Sequence, residues 1–317
     1  PWRMEHQRIP DGITFDDVLL VPQYSDLTPD DTCTATRLTR GITINIPLIS
    51  APMDTVTEAD LAISLAQEGG IGIVHKNLSV AEQAQQVARV KRTENGIISD
   101  PVTLSPEDTV SRALELMETQ NVSGFPVTLN GSSDGPLAGI LTRRDMKFVE
   151  SSTDHVGEVM TRESLITGSP SIELSQAEAL MTRGRVEKLL LIDDAGNLAG
   201  MMTMRDIENI RAHPMACRDD RGRLRVGAAV GVHQLDRVKA LVESEADVII
   251  VDTAHGHSAN VIQTVKAIRE QFDIEIIAGN IATADAAAAL IDAGVDAVKV
   301  GIGPGSICTT RIVSGVG

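Results

Sequence analysis

Near the end of the 317-residue chain a single cysteine lies in the run Gly301-Ile302-Gly303-Pro304-Gly305-Ser306-Ile307-Cys308-Thr309-Thr310-Arg311. Three glycines in five positions give a loop that can take positive φ and let a ligand approach the backbone. Hydroxyls flank the thiol and an arginine follows it. Ahead of the loop, Ala297-Val298-Lys299-Val300 reads as a buried strand. A strand, a glycine-rich turn and a lone thiol make a candidate nucleophile site. The plain alternative is inert packing, because free cysteines are among the most buried residue types.

The elements that would position this loop form a repeating pattern. Pro47-Leu48-Ile49-Ser50 reads as a short apolar strand, followed by a helix over 58–67. A second strand at 70–74 precedes a helix over 79–91, which Ser79 and Glu82 open as a capping box. The alternation resumes with strands at 225–230, 248–252, 275–279 and 296–300, separated by helices over 234–245, 259–271 and 283–292. Strands that are apolar throughout, separated by amphipathic helices, indicate parallel βα units, six in all. Polar or glycine residues recur just past the strands: Asp54, His75, Gly231, Asp252, Asn280 and Gly303. In a TIM barrel that edge gathers catalytic groups.

Residues 97–209 interrupt the pattern with an internal repeat. Gly139-Ile140-Leu141-Thr142-Arg143-Arg144-Asp145-Met146 returns as Gly200-Met201-Met202-Thr203-Met204-Arg205-Asp206-Ile207. Each copy follows an apolar strand (125–129; 189–192) and, before that, a helix (110–119; 176–182). The expected organisation is a barrel formed by 1–96 and 210–317, holding a pseudo-twofold insertion of copies 97–152 and 153–209. Met117, Met160, Met181, Met201 and Met202 are expected in the insertion's core. Six βα units cannot close an eight-stranded barrel of ~250 residues, so the chain is expected to be a fragment.

Composition narrows the function classes. A net charge of −16 argues against broad contact with nucleic acid or an anionic membrane. It leaves room for a small anion held by backbone amides. Three cysteines without CxxC spacing point away from a disulfide scaffold or structural zinc and toward a reducing cytoplasm. No apolar run reaches the roughly 18 residues of a membrane span. His75, His255 and His257 have no carboxylate at metal-ligand spacing and receive no role; Cys33 and Cys217 are incidental.

Several motifs then resemble one family in order along the chain. They are Gly12-Ile13-Thr14-Phe15-Asp16-Asp17-Val18-Leu19-Leu20, Ala51-Pro52-Met53-Asp54-Thr55-Val56-Thr57-Glu58 and Gly222-Arg223-Leu224-Arg225-Val226-Gly227-Ala228. Asp252-Thr253-Ala254-His255-Gly256 and the 303–311 loop complete the set, which is similar to inosine-5′-monophosphate dehydrogenase. The Thr-x-x-Asp repeat resembles the paired cystathionine-β-synthase-type (CBS) module that interrupts that enzyme. The fold implied is a TIM (β/α)8 barrel, about six units of it present, with an inserted tandem CBS α+β module.

The resemblance implies NAD-dependent oxidation of inosine monophosphate (IMP) to xanthosine monophosphate, the committed step to guanine nucleotides. Cys308 would attack C2 of the purine and later release the product by hydrolysis, a task suited to a soft nucleophile. Thr310 would assist hydrolysis, and Ser306 would touch the substrate phosphate. Ser50 and Asn280 would face the substrate, each with a turn-residue alternative. Asp252 would bond the nicotinamide ribose, helix capping being its alternative, beside Thr253 and Ala254. Gly301, Ile302 and Gly303 would line the nicotinamide pocket. Gly303, Gly305 and Cys308 would offer backbone carbonyls to K⁺. Thr142, Asp145, Thr203 and Asp206 would hold regulatory purine nucleotides, or simply cap helices. A homotetramer, or an octamer, is implied. The water-activating flap and remaining phosphate loops are expected beyond Gly317, and residues 1–317 alone are expected not to turn over. A guanosine monophosphate (GMP) reductase, set apart because it normally lacks the repeat, and a catalytically silent nucleotide sensor are the alternatives.

Overall fold

The computed structural model describes residues 17–93, 96–120, 122–148 and 153–317. The first five residues of the Gly12 motif lie outside that set. The chain divides into two units, 1–34 and 35–317. In the first, a 3-10 turn at Pro29–Asp31 is capped by Thr28, whose amide and hydroxyl both donate to the Asp31 carboxylate (2.9 and 2.7 Å).

The second unit opens with the β1 (Thr36–Arg37) and β2 (Thr43–Ile44) hairpin. Next come α1 (Ala59–Gln67), β3 (Gly72–Val74) and α2 (Val80–Thr93). The expected capping box opens α2: the Ser79 amide donates to Glu82 and the Glu82 amide to the Ser79 hydroxyl (3.0 and 3.2 Å). The interrupting segment then contributes α3 (Val110–Thr119), β4 (Gly124–Thr128), β5 (Leu137–Thr142), α4 (Val156–Val159) and β6 (Thr167–Gly168). It continues through α5 (Leu174–Gly184), β7 (Lys188–Ile192), β8 (Leu198–Thr203) and α6 (Met204–Ala212). The alternation resumes with β9 (Val226–Val230), α7 (Leu235–Glu243), β10 (Val248–Asp252) and α8 (Ala259–Gln271). It ends in β11 (Glu275–Ile281), α9 (Ala284–Ala293), β12 (Ala297–Val300) and α10 (Thr310–Ser314).

The parallel strands lie side by side in chain order, β3-β9-β10-β11-β12. Both faces of β3, β9, β10 and β11 are covered, which is why these strands are largely apolar rather than alternating, while the edge strand β12 stays partly exposed. Val226, Ala228, Ile249 and Val251 pack beneath the helices, while Ala229, Val248 and Ile250 join Ile42 and Ile44 of the hairpin on the opposite face. Each valine or isoleucine among them adds roughly 1.5–3 kcal/mol on burial, and each alanine less.

One element departs from the sequence expectation. Residues 47–50 do not form a strand; only Ile49 bridges, in parallel, to Ile71 beside β3. Pro47 has no amide to donate to a ladder, and Leu48 and Ile49 stay exposed.

In the interrupting segment β4 pairs with β5, and β6, β7 and β8 form a second small sheet. Leu190, Leu198 and Met201 meet Ile98, Leu137 and Ile140, so an apolar seam joins the two copies. All five methionines expected in this core are buried there. The repeated motif ends differently in each copy: a 3-10 turn at Asp145–Phe148 in the first, the full helix α6 in the second. Where the chain leaves the sheet for this segment, Gly96 lies against Gly222; a Cβ built on Gly222 falls 3.1 Å from the Gly96 Cα.

Candidate functional site

The C-terminal edge of the parallel sheet brings several expected residues together. Asp252 ends β10, and its carboxylate Oδ1 accepts from Lys299 Nζ of β12 at 2.7 Å. Its backbone carbonyl accepts from Lys76 Nζ, just past β3, at 2.6 Å. The Thr253 amide and hydroxyl donate to the Gly279 carbonyl (3.0 and 2.8 Å), and the Asn280 amide returns a bond to the Thr253 carbonyl (2.8 Å). The Asn280 side-chain amide then donates to the Gly301 carbonyl at 2.9 Å. This chain of bonds ties the end of β10 through β11 to the start of the cysteine loop. The Asn280 side-chain oxygen is buried with no hydrogen-bond partner among the described residues, an acceptor left open where most buried polar groups are paired.

On the loop, Gly301 and Gly303 take φ of +118° and +69°, backbone that favours glycine. Cys308 is exposed, with Sγ 3.2 Å from Thr310 Oγ1. Hydrogen bonding from the Thr310 hydroxyl, then from its amide, holds the thiol below its ordinary pKa, and Arg311 adds to the effect. Its exposure sets Cys308 apart from a packed thiol. Cys217 is the opposite: burial pushes it up to about 11. The Gly305 carbonyl accepts from the Cys308 amide (3.0 Å), and Ser306, Gly305 and Ala254 are exposed.

Other expected residues lie apart from this group. The Ser50 hydroxyl accepts from the Ile73 amide at 2.9 Å, at the far side of the sheet from β12. Thr142, Asp145, Thr203 and Asp206 belong to the interrupting segment. The Thr142 amide and hydroxyl donate to Asp145 (2.7 and 2.6 Å), whose other oxygen accepts from Thr161 at 2.9 Å. Thr203 and Asp206 form the capping box of α6, so the capping alternative describes their local role. A cavity of about 420 Å³ opens beside Asp145, lined also by Thr142 and Lys188, with Ile166, Val186 and Leu190 as its apolar side.

Sequence reasoning missed three residues. Lys299 was read only as part of an apolar strand; a lone charge in that strand was the available signal. Lys76 carried no signal at all. His75 received no role, yet its buried Nε2 lies 3.7 and 3.6 Å from the Asp54 and Glu58 carboxylates. These carboxylates come from the turn after residue 50, distant in chain but adjacent in space. Among the described residues no group of His, Cys, Asp and Glu side chains is arranged to hold a metal ion, and no helix is long and apolar enough to cross a membrane.

Comparison with known proteins places this geometry. The pattern described as "IMP dehydrogenase / GMP reductase domain" matches residues 12–317. Inosine-5′-monophosphate dehydrogenase of Rhodopirellula baltica is 55% identical over 96% of this chain and 57% of its own length. The Aquifex aeolicus enzyme of that name is 52% identical over 98% of this chain and 64% of its own. The chain thus spans less than two thirds of these relatives. A GMP reductase from Trypanosoma brucei, crystallised in complex with guanosine 5′-triphosphate, superposes with a TM-score of 0.83 at 40% identity, covering 98% of this chain and 76% of its own. That span takes in the interrupting segment, so the insertion does not set this reductase apart from the chain. With the match running from residue 12 to the end of the cysteine loop and beyond, this chain belongs to the IMP dehydrogenase / GMP reductase family.

Proposed function

We propose that this protein carries out NAD-dependent oxidation of IMP to xanthosine monophosphate on the way to guanine nucleotides. The observation that carries the reading is the Cys308–Thr310 pair, 3.2 Å apart on a loop that Asn280 ties to the sheet edge. The Cys308 thiol gives up its proton and its sulfur adds to C2 of the purine; the C2 hydrogen then departs as hydride, restoring the C=N bond as a thioimidate. NAD⁺, when bound, is the acceptor of that hydride. Water then attacks the thioimidate carbon, which releases the product and restores the thiol; Thr310 assists this half. Ser306 contacts the substrate phosphate, and Ser50 and Asn280 face the substrate. Asp252, steadied by Lys299, bonds the nicotinamide ribose beside Thr253, Ala254 and Gly301 to Gly303. The orphaned Asn280 oxygen fits a ligand that brings a donor to this edge. K⁺ on the carbonyls of Gly303, Gly305 and Cys308 belongs to the same reading.

In this reading the parallel strands are part of a TIM barrel, and 97–209 is a tandem CBS module that binds regulatory purine nucleotides at Thr142, Asp145, Thr203 and Asp206. The assembly is a cytoplasmic homotetramer, or an octamer.

Incubating the full-length protein with IMP and NAD⁺ is expected to release NADH, and Cys308→Ala to lower the rate more than about a thousandfold. Release of NADH at an unchanged rate by the variant would refute the assignment. The likeness to the T. brucei protein favours one second reading, reduction of GMP with NADPH. Consumption of NADPH on adding GMP, without NADH release from IMP, would establish it instead.

A further inference from the structure

Residues 50–58 run from the Ile49 bridge to the start of α1 without joining a ladder. Alternate residues along and beside β3 hold both ends of this turn. The Ser50 amide donates to the Ile71 carbonyl, and the Ile73 amide to the Ser50 hydroxyl (3.1 and 2.9 Å). At the other end the His75 amide donates to the Thr57 carbonyl at 3.3 Å. The buried Thr57 hydroxyl then closes the turn on the Ala51 carbonyl at 2.6 Å. Between these anchors Met53 and Val56 are exposed. Thr55 takes a φ of +59°, left-handed backbone that a β-branched residue adopts only under constraint.

The His75 side chain adds a further hold. Its ring is buried, and Nδ1 lies 3.1 Å from the Asn77 amide nitrogen, which can only donate. Nδ1 is therefore the acceptor, and the ring hydrogen is assigned to Nε2. That nitrogen lies 3.7 Å from Asp54 Oδ1 and 3.6 Å from Glu58 Oε1, two half-exposed carboxylates of the turn. Both separations exceed a hydrogen bond, and Nε2 has no such partner among the described residues. The Asn77 side chain donates to the other oxygen of Asp54, so one residue sets the tautomer and steadies the carboxylate. Because Nε2 carries its hydrogen, it faces the carboxylates as a donor and not as a metal ligand.

An uncommitted N–H in a buried place costs stability, and an apolar side chain of similar size would avoid that loss. A polar ring kept there, facing the carboxylates of a strained turn, serves something besides packing. At the root of the turn, the Ser50 hydroxyl accepts from Ile73 and keeps its own hydrogen to give. Its aim follows the setting of the residues that come after it.

We propose that His75 is a positioning residue of the substrate site, whose Nε2–H sets the 51–58 turn through Asp54 and Glu58, and with it the Ser50 hydroxyl. This rests on the reading of Ser50 as a substrate contact and adds the residue that aims it.

Steady-state kinetics of the full-length protein with IMP and NAD⁺ test the assignment. The backbone bond from His75 survives any substitution, so side-chain variants report on the ring alone. His75→Leu removes the donor and is expected to raise KM for IMP about tenfold, the worth of roughly one hydrogen bond, with KM for NAD⁺ and kcat changed by less than about twofold. His75→Gln, whose amide nitrogen can donate from the place of Nε2, should restore most of the loss. Should His75→Leu fail to fold, Asp54→Ala combined with Glu58→Ala removes the acceptors from the exposed side and is expected to raise KM for IMP in the same way. A KM for IMP like the parent's in whichever variant folds would overturn the assignment. So would a loss shared equally by kcat and both KM values and unrelieved by His75→Gln, the mark of a merely structural role. Either result leaves the proposed reaction standing. No NADH from the parent protein with IMP would overturn that reaction, and this inference with it.

Discussion

Cys308 and Thr310 form the smallest unit in which the proposed chemistry is visible. The thiolate is favoured because a neighbouring hydroxyl and amide donate to it, and Arg311 lies close by. Alkylation by iodoacetamide, followed against pH, should therefore give a midpoint below that of an ordinary thiol. Thr310→Val removes the largest contribution and should move the midpoint upward; an unshifted profile would mean the hydroxyl does not support the thiolate. Below the Cys308 pKa the protonated fraction grows and the alkylation rate falls in both proteins, so the variant should be slower at every pH between the two midpoints. Cys308, Asp252 and Asn280 were legible in sequence because each combines a reactive or polar type with a place just past an apolar strand. Lys299 and Lys76 were not, because their common partner lies 47 and 176 residues away and only the sheet brings them to it.

Among the elements, α2 does more than cover the sheet. Lys91, in its last turn, is buried, with Nζ 3.0 Å from Asp219 and 2.7 Å from Asp247. Arg223 in turn holds Asp219 and Glu245. Burial would raise the Asp219 carboxyl, but Lys91 and the Arg223 backbone outweigh it and hold that group low. Asp247, more deeply buried, is raised by burial in spite of Lys91. Lys91→Met leaves both acids without their ammonium, and breaking a buried pair from one side costs about 3–5 kcal/mol. Its pH dependence has a definite sign. Without Lys91 the folded-state pKa of both acids rises, so the folded chain holds protons the unfolded chain releases, and stability falls as pH rises through the carboxylate range. Urea unfolding should therefore show a smaller deficit at pH ~4 than at pH ~7; an equal deficit at both would mean that the clamp does not titrate. From sequence, Lys91 is merely a basic residue completing a helix C-terminus. Its burial depends on a segment that returns more than a hundred residues later, which no periodicity reports. The α2 capping box, a purely local pattern, was legible.

For the whole molecule, the apolar cores separate at the boundaries of the insertion. The clusters under the parallel sheet contain no residue between 97 and 212, and the clusters of the two copies contain none outside it. Replacing 97–212 by a flexible linker of about ten glycine and serine residues, which spans roughly 16–19 Å, should leave the sheet folded. Thermal unfolding followed by circular dichroism should keep one cooperative transition; loss of it would show that the sheet depends on the insertion. The order of the parallel strands was readable because each βα unit is local and follows its predecessor in space. The lack of a strand at 47–50 was not, since an apolar run does not say whether its residues pair into a ladder. The meeting of Gly96 with Gly222 bears on descent as well as on folding. An insertion whose way out lies against its way back hangs from the sheet as a side branch. A lineage can acquire, discard or exchange such a branch as one cassette, with the winding order of the host strands untouched.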